Sequence, residues 1–300
     1  MNNTYSVEPR VGLKWQLHNK HSLSVGYGLH SQIQPLTAYF IESKNTNGDK
    51  IQVNKNLGMS KSHHVVLGYN WDFLKNTHLK TEFYYQYLEN IPISKQSSIF
   101  SMTNSGSGFG QFFPDTMVNE GIGHNYGVEL TIEKYLDKGW YILFSSSLFE
   151  GIYKGSDGVE RNTAFNGNYT LNLLGGKEFE FNPKKKDRKI IHSLLLDAKV
   201  VLTGGNRYIP IDLAKSKLQK RAVYDFYKAY ENKHPDYFRA DFNIGYKMSF
   251  GKISQEFTFS LQNMTNRKNV FSQRFNPVNN ELEYTYQRGI SPMGTYKIMF

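Results

Sequence analysis

The chain has 300 residues, a formal net charge of +10, a pI of about 9.4, a mean hydropathy of -0.55 and aromatic side chains at 15% of its positions. No stretch approaches the roughly 18 uncharged apolar residues of a spanning helix, and with no cysteine there is no disulfide framework and no cysteine-ligated zinc. No nucleic-acid motif accompanies the positive charge; part of it lies in the run Pro183 to Lys189 (PKKKDRK), which suits anionic lipid headgroups.

About eleven segments alternate apolar and polar residues with a period of two, the pattern of strands with one greasy and one wet face. Val11, Leu13, Trp15 and Leu17 form the first stripe, and Leu23, Val25, Tyr27 and Leu29 the second. Val65, Leu67, Tyr69, Trp71 and Phe73 lead into a turn, and Leu79, Phe83, Tyr85 and Tyr87 lead away from it. Tyr126, Val128, Leu130 and Ile132 alternate with Gly127, Glu129, Thr131 and Glu133; Trp140, Ile142, Phe144 and Leu148 return. Tyr169, Leu171, Leu173, Phe179 and Phe181 run into the basic segment, and Ile190, Leu194, Leu196, Val200 and Leu202 leave it. The clearest hairpin pairs Phe238 to Phe250 with Ile253 to Gln262 across Gly251-Lys252. The last strand ends Tyr296, Ile298, Phe300.

The connections fall into two populations that alternate without exception. Short ones lie near residues 18–21, 74–77, 137–139, 182–188 and 251–252; long ones lie near 42–56, 94–123, 155–165, 204–236 and 265–290. Short periplasmic turns and long external loops are the asymmetry of an outer-membrane β-barrel, and a soluble sandwich has no such sorting. Aromatics gather beside the short turns (Trp71, Phe73, Tyr135, Trp140, Tyr141, Phe179, Phe181, Phe250) and toward the long loops (Tyr39, Phe40, Tyr85, Tyr87, Tyr153, Tyr237), as two interfacial girdles would. The fold class expected is therefore all-β: an antiparallel transmembrane β-barrel in the outer membrane. Eleven strands leave the first and last running the same way, so the expected object is an incomplete half barrel, an open sheet with two free edges. Large plugged transporters have 22 strands.

The stretches "GLKWQLHNKHSLSVGYGLHSQIQPL", "GVELTIEKY", "GSDGVERNTAFNGNY", "GGNRYIPIDL", "PDYFRADFNIGYK" and "LQNMTNRKNVFSQ" resemble the C-terminal half of a TonB-dependent receptor, in the group with an N-terminal carboxypeptidase-regulatory-like domain. The likeness covers residues 1–300. It implies a gated outer-membrane channel for scarce, large ligands, powered through TonB. The plug and TonB box lie in the N-terminal part of such receptors, and the sequence as written is expected to lack both, as well as a signal peptide: "MNNTYSVEPR" has no basic segment followed by an apolar one. TonB would then act only through the missing N-terminal part, together with the missing strands and plug. Outer-membrane lipid is an expected partner. Tyr296, Ile298 and Phe300 resemble the C-terminal signal read by the barrel assembly machinery.

No catalytic residue, metal site or cofactor site is expected. His63 and His64 are adjacent on a strand and so point to opposite faces. Glu129 with Glu133, and Asp197 with Lys199, read as lumen-face polar groups or plug docking points. Gly106, Gly108 and Gly110 read as a flexible external loop, since no helix or Lys-Ser/Thr follows them. Residues 211–233 read as helical, from Leu213, Leu218, Val223, Phe226 and Tyr230. Arg207 and Tyr208, at a strand exit, are candidate ligand contacts and equally candidate loop anchors. The function expected is uptake of a large ligand; a passive porin-like pore is the alternative, and an outer-membrane hydrolase finds no Ser–His–acid arrangement to support it.

Overall fold

A computed structural model describes residues 5–44, 46–107, 113–114, 116–181 and 189–300. Most of the basic run at 183–189, and Gly108 and Gly110, lie outside the described residues. The elements in chain order are β1 (Arg10–His18), β2 (His21–Gln32), α1 (Leu36–Tyr39), β3 (Glu42–Lys44), β4 (Lys50–Gln52), β5 (Ser60–Leu74), β6 (Thr77–Ser94), β7 (Met117–Asp137) and β8 (Trp140–Lys154). There follow β9 (Glu160–Asn162), β10 (Tyr169–Glu180), β11 (Ile191–Thr203), α2 (Leu213–Gln219), β12 (Tyr237–Phe250), β13 (Ile253–Gln262), β14 (Val270–Asn276), β15 (Glu281–Tyr286) and β16 (Ser291–Met299).

Eleven strands form one continuous antiparallel wall in the order β1-β2-β5-β6-β7-β8-β10-β11-β12-β13-β16, with β9 added beside the outer end of β8. Each neighbour along the wall is the next long strand in sequence, so it is a simple up-and-down meander. β1 and β16 do not pair with each other, so the sheet is open. Every residue of β1 is exposed, as is most of β16, which marks both as free edges. The small hairpins β3–β4 and β14–β15 stand apart in the long connections.

The register shows why the wall suits a bilayer. Leu13, Val25, Leu67, Phe83, Val128 and Leu148 are successive cross-strand partners, a row of apolar side chains across six strands. One position away, Lys14, Ser24, Gly68, Glu82, Glu129 and Ser147 form a parallel row of polar or small residues. Farther along, Phe179, Leu194, Tyr246, Phe257 and Tyr296 continue an apolar row. Because strand side chains alternate, each row lies wholly on one face. Phe83 is 55% exposed and Phe257 50%, a water-facing cost that lipid removes.

The buried apolar cluster lies at the loop end of the wall. Ala38, Leu57 and Met117 are buried together, with Tyr39, Ile41, Phe100, Met102 and Phe113 around them, where the 33–59 and 95–116 connections meet. The strands also outrun the bilayer. β7 has 21 residues, about 70 Å along the strand against an apolar band of about 25 Å, and the surplus carries the cap of long loops.

The turns follow the expected alternation: 19–20, 75–76, 138–139, 181–190 and 251–252 are the short connections. At 138–139, Lys138 (φ 51°) and Gly139 (φ 76°) are both left-handed, as a two-residue hairpin turn requires. The girdle assignment needs correction at four tyrosines. Tyr39 belongs to the loop core, and Tyr153, 1% exposed, donates to the Ile99 carbonyl inside the cap. Tyr141 and Tyr237 fall on the lumen parity, Tyr141 donating to Asp197 at 2.7 Å. A motif not read from the sequence takes their place: on the lipid parity, Tyr27 with His63, Tyr85 with His124, His21 with Tyr69 and Tyr246 with His192 pair through imidazole Nδ1 at 2.7 to 3.0 Å. Each pair joins a tyrosine to a histidine one diagonal step away on the next strand.

Candidate functional site in the loop cap

The outer ends of the strands place three long connections over the lumen. β6 ends in Ile91, Pro92, Ile93 and Ser94, all buried, which turns the chain inward; Ile93 bridges back to Ser101. Ser101 then caps a 3-10 turn, Met102–Asn104, by accepting from the Thr103 N–H. That turn separates two cavities. One, of about 590 Å³, is lined by Phe100, Asn104, Arg161, Phe226, Tyr227 and Tyr230 and by several serines. The other, of about 600 Å³, lies between Met102, Thr103, Thr163 and Phe165 of the loops and the lumen-parity residues His30, Gln32, Ser62, Leu88 and Asn125 of the wall. Ser105 touches both. Volumes of several hundred Å³ are those of small-molecule sites.

Buried amides hold this cap together, because each backbone group in a crossing loop needs a partner. Asn104 Oδ1 accepts from the Ala164 N–H at 2.8 Å, and Ser156 Oγ accepts from the Ser98 N–H at 3.0 Å. These contacts tie 95–116 to 155–168. Asn166, fully buried, donates to Glu150 and Asn162, and Asn168 donates to the other Glu150 oxygen. Asn119 donates to the Gly58 and Asn90 carbonyls, and Asn269 brackets Phe238.

Arg207 joins 155–168 to 204–236. Its guanidinium donates to the carbonyls of Asn166 (2.8 Å), Tyr230 (3.2 Å) and Glu231 (2.8 Å) and to Asn168 Oδ1 (3.1 Å), while its backbone N–H reaches the Ala164 carbonyl. Burial lowers its pKa from the ordinary arginine value, and Glu150 opposes the shift. Tyr208 stacks on His234 with ring centroids 4.3 Å apart. Burial raises the Tyr208 phenol and lowers the His234 imidazole. Both candidates thus sit at the seam between loops; Arg207 lies one loop layer from the first cavity through Tyr230.

The helix expected over 211–233 is limited to α2. Asp212 caps its start by accepting from Lys215, and Lys220 ends it in a left-handed conformation. Ile211 then bridges Tyr224, and a separate 3-10 turn, Phe226–Lys228, carries Phe226 and Tyr227 to the cavity. Arg161, the cavity's cation, is paired with Asp157 at 2.8 Å. Burial alone would raise the Asp157 carboxyl, but hydrogen bonds from Arg161 and the Val159 N–H bring it below the ordinary value. The cavity is therefore lined by aromatic rings, hydroxyls and a neutralised ion pair.

The other sequence candidates are scattered. His63 faces the lipid side against Tyr27 and Glu89, while His64 lies on the lumen parity, edge-on to Tyr84. Glu129 lies opposite Glu82 on the lumen parity, and Asp197 accepts from Tyr141. Gly106 is left-handed in the loop after the 3-10 turn. Among the described residues no group of three His, Asp or Glu side chains could hold a metal ion. Phe226 and Tyr230 were read in sequence only as apolar positions of the expected 211–233 helix, whereas Asn104, Arg161 and Tyr227 were not singled out; an aromatic pair after a capping Asp225 was the available signal.

A family model described as TonB dependent receptor-like, beta-barrel matches residues 2–266. The ferric-catecholate import receptor Fiu from K12 E. coli has a TM-score of 0.61 at 13% identity, covering 97% of this chain and 34% of that one. The ferripyoverdine receptor of the outer membrane of Pseudomonas aeruginosa gives 0.63 at 14%, with 97% and 32% covered. BauA, the ferric preacinetobactin receptor from Acinetobacter baumannii, gives 0.60 at 13%, with 98% and 36% covered. These identities carry the fold alone, and the chain spans about a third of each structure's length. No curated protein matches it by sequence.

Proposed function

We propose, because this chain belongs to the TonB-dependent receptor β-barrel family of the outer membrane, that it builds one side of a transport barrel and captures ligand beneath its loop cap. The observation that carries this reading is the inward fold of 95–107 and 155–168, which puts loop and lumen-wall residues around one cavity. A ligand held there lies between the outside and the lumen. The adjoining cavity across the 3-10 turn, which shares Ser105 with it, adds the rings of Phe226 and Tyr227, and Arg207 holds the loops that present them.

Closure of the barrel follows from strand direction. β1 and β16 both run toward the short-turn side, and unpaired edges are not tolerated in lipid. An odd number of further strands would pair antiparallel with both edges; eleven would make the 22 of plugged transporters. We assign energy coupling through TonB, and any gating plug, to parts beyond this wall. Tyr296, Ile298 and Phe300, on the exposed lipid side of the last strand, are our candidates for recognition by the assembly machinery.

The test is uptake. A strain lacking the gene is complemented with the wild type or with Phe226→Ala and Tyr227→Ala together. Ferric chelates and neutral oligosaccharides are offered with the inner-membrane proton gradient intact or collapsed. Uptake of one ligand that needs the gene, falls in the double variant and stops without the gradient supports the proposal. Uptake that ignores the gradient and grows linearly with concentration would establish a passive pore instead.

A further inference from the structure

The charge of this chain is concentrated where the chain is shortest. The described residues of the five short turns number eleven and hold five lysines and no acid, a charge of +5 out of a total of +10 for the chain. The five long connections between wall strands are far longer, yet hold sixteen basic against eleven acidic residues. Each short turn contributes at least one described lysine: Lys20, Lys75, Lys138, Lys189 and Lys252. All five are exposed, and none forms an ion pair among the described residues. The acids nearby are engaged elsewhere, Asp72 with His78 at 2.8 Å and Glu178 with Lys247 at 3.5 Å.

Aromatic rings stand on the lipid side directly above these lysines. His21 stacks on Trp71 at 5.5 Å and Trp71 meets Phe73 at 5.3 Å, between the turns of Lys20 and Lys75. Lys134 lies over the Trp140 ring at 4.5 Å, beside Lys138. Phe179 and Phe181 precede Lys189, and Phe250 precedes Lys252. Interfacial rings of this kind mark the edge of the hydrocarbon, and Lys20, Lys75, Lys138 and Lys252, one to four residues beyond them, about 3 to 13 Å along the chain, stand at headgroup depth. Anionic headgroups attract basic residues at such a surface.

We infer that the short-turn rim is a lipid-binding collar, selective for anionic phospholipid headgroups in the leaflet that it crosses. The collar anchors the wall at a fixed depth from below, while the loop cap handles ligand above; a receptor could transport without it. An acidic protein docked on the same lysines would be a different partner, and it would not enrich anionic lipid.

The receptor is extracted from its membrane in polymer-bounded discs, and the ratio of phosphatidylglycerol to phosphatidylethanolamine is compared with that of the whole membrane. Wild type should be enriched at least about twofold. Lys20→Gln, Lys75→Gln, Lys138→Gln and Lys252→Gln combined should bring the ratio down toward bulk. The same four positions changed to Arg should retain the enrichment, as should Lys44→Gln, Lys55→Gln, Lys217→Gln and Lys228→Gln in the long loops. A wild type at the bulk ratio, or a turn variant as enriched as wild type, overturns the inference. Should the turn variant fail to assemble, wild type is equilibrated with phosphatidylglycerol and phosphatidylcholine vesicles at rising salt. Enrichment must then decline as charge is screened, and salt-insensitive enrichment overturns it equally.

Discussion

Replacing Phe83 with Arg separates a membrane wall from every water-soluble reading of this sheet. Phe83 is the fourth member of the row Leu13, Val25, Leu67, Phe83, Val128, Leu148, midway along its strand and 55% exposed. In water, exchanging so exposed a ring for Arg would be neutral within about 0.5 kcal/mol. At the middle of a bilayer it costs about 2–4 kcal/mol, roughly 30- to 1000-fold in the folded-to-unfolded ratio. Glu82→Gln, one residue away on the lumen parity, serves as the control and should cost less than about 1 kcal/mol in a wet lumen. The assay is urea unfolding of the receptor from lipid vesicles, read by heat-modifiable gel mobility and tyrosine fluorescence. Equal stability of Phe83→Arg and wild type would refute the assignment of this face to lipid.

Arg207→Met keeps the apolar stem but removes donors to three carbonyls and one amide, so the 155–168 and 204–236 loops should loosen by about 2–3 kcal/mol; hydrogen exchange at Asn166 to Asn168 and Tyr230 to Lys233 should accelerate while the β5–β6 ladder keeps its protection. Tyr153→Phe leaves the Ile99 carbonyl without its donor and should free 97–101 by about 1–2 kcal/mol, seen as faster exchange there and unchanged exchange at Ala164. Burial lowers the His234 pKa below its ordinary 6.5, so an opened loop takes up the proton first. Its contribution is complete above pH 6.5 and is lost as pH falls through that value toward the lowered one. Protection of Asn206 to Tyr208, corrected for intrinsic rates, should decrease in that window and stay level in His234→Phe; increased protection on acidification would contradict the sign.

The wall was legible because one face of each strand is a continuous apolar stripe and the turns that separate the stripes are short. Leu23 to Leu29 and Phe238 to Phe250 leave no other period available. The loops were less legible. Leu213, Leu218, Val223, Phe226 and Tyr230 have nearly helical spacing, yet Lys220 goes left-handed and Ile211 pairs with Tyr224, inside a loop whose base is closed by the Arg207–Lys233 bridge. The Asn276-Pro-Val-Asn-Asn280 turn signals the β14–β15 hairpin, but its strands of seven and six residues were hidden in a long connection. The cavity could not be read at all: Phe100, Arg161 and Tyr227 come from three different loops. The Tyr–His pairs were invisible for the same reason, since each depends on register between two strands.

The absence of cysteine opens a direct test of the sidedness on which the account rests. Single cysteines placed at each position from Leu79 to Tyr87 of β6 would carry spin labels in the membrane-assembled receptor. Collision rates with oxygen, which concentrates in lipid, and with a water-soluble nickel complex would be compared at each site. The account predicts alternation: Leu79, Thr81, Phe83 and Tyr85 favour oxygen, while Lys80, Glu82, Tyr84 and Gln86 favour nickel. Uniform accessibility to nickel along the strand, or a period near 3.6, would contradict it.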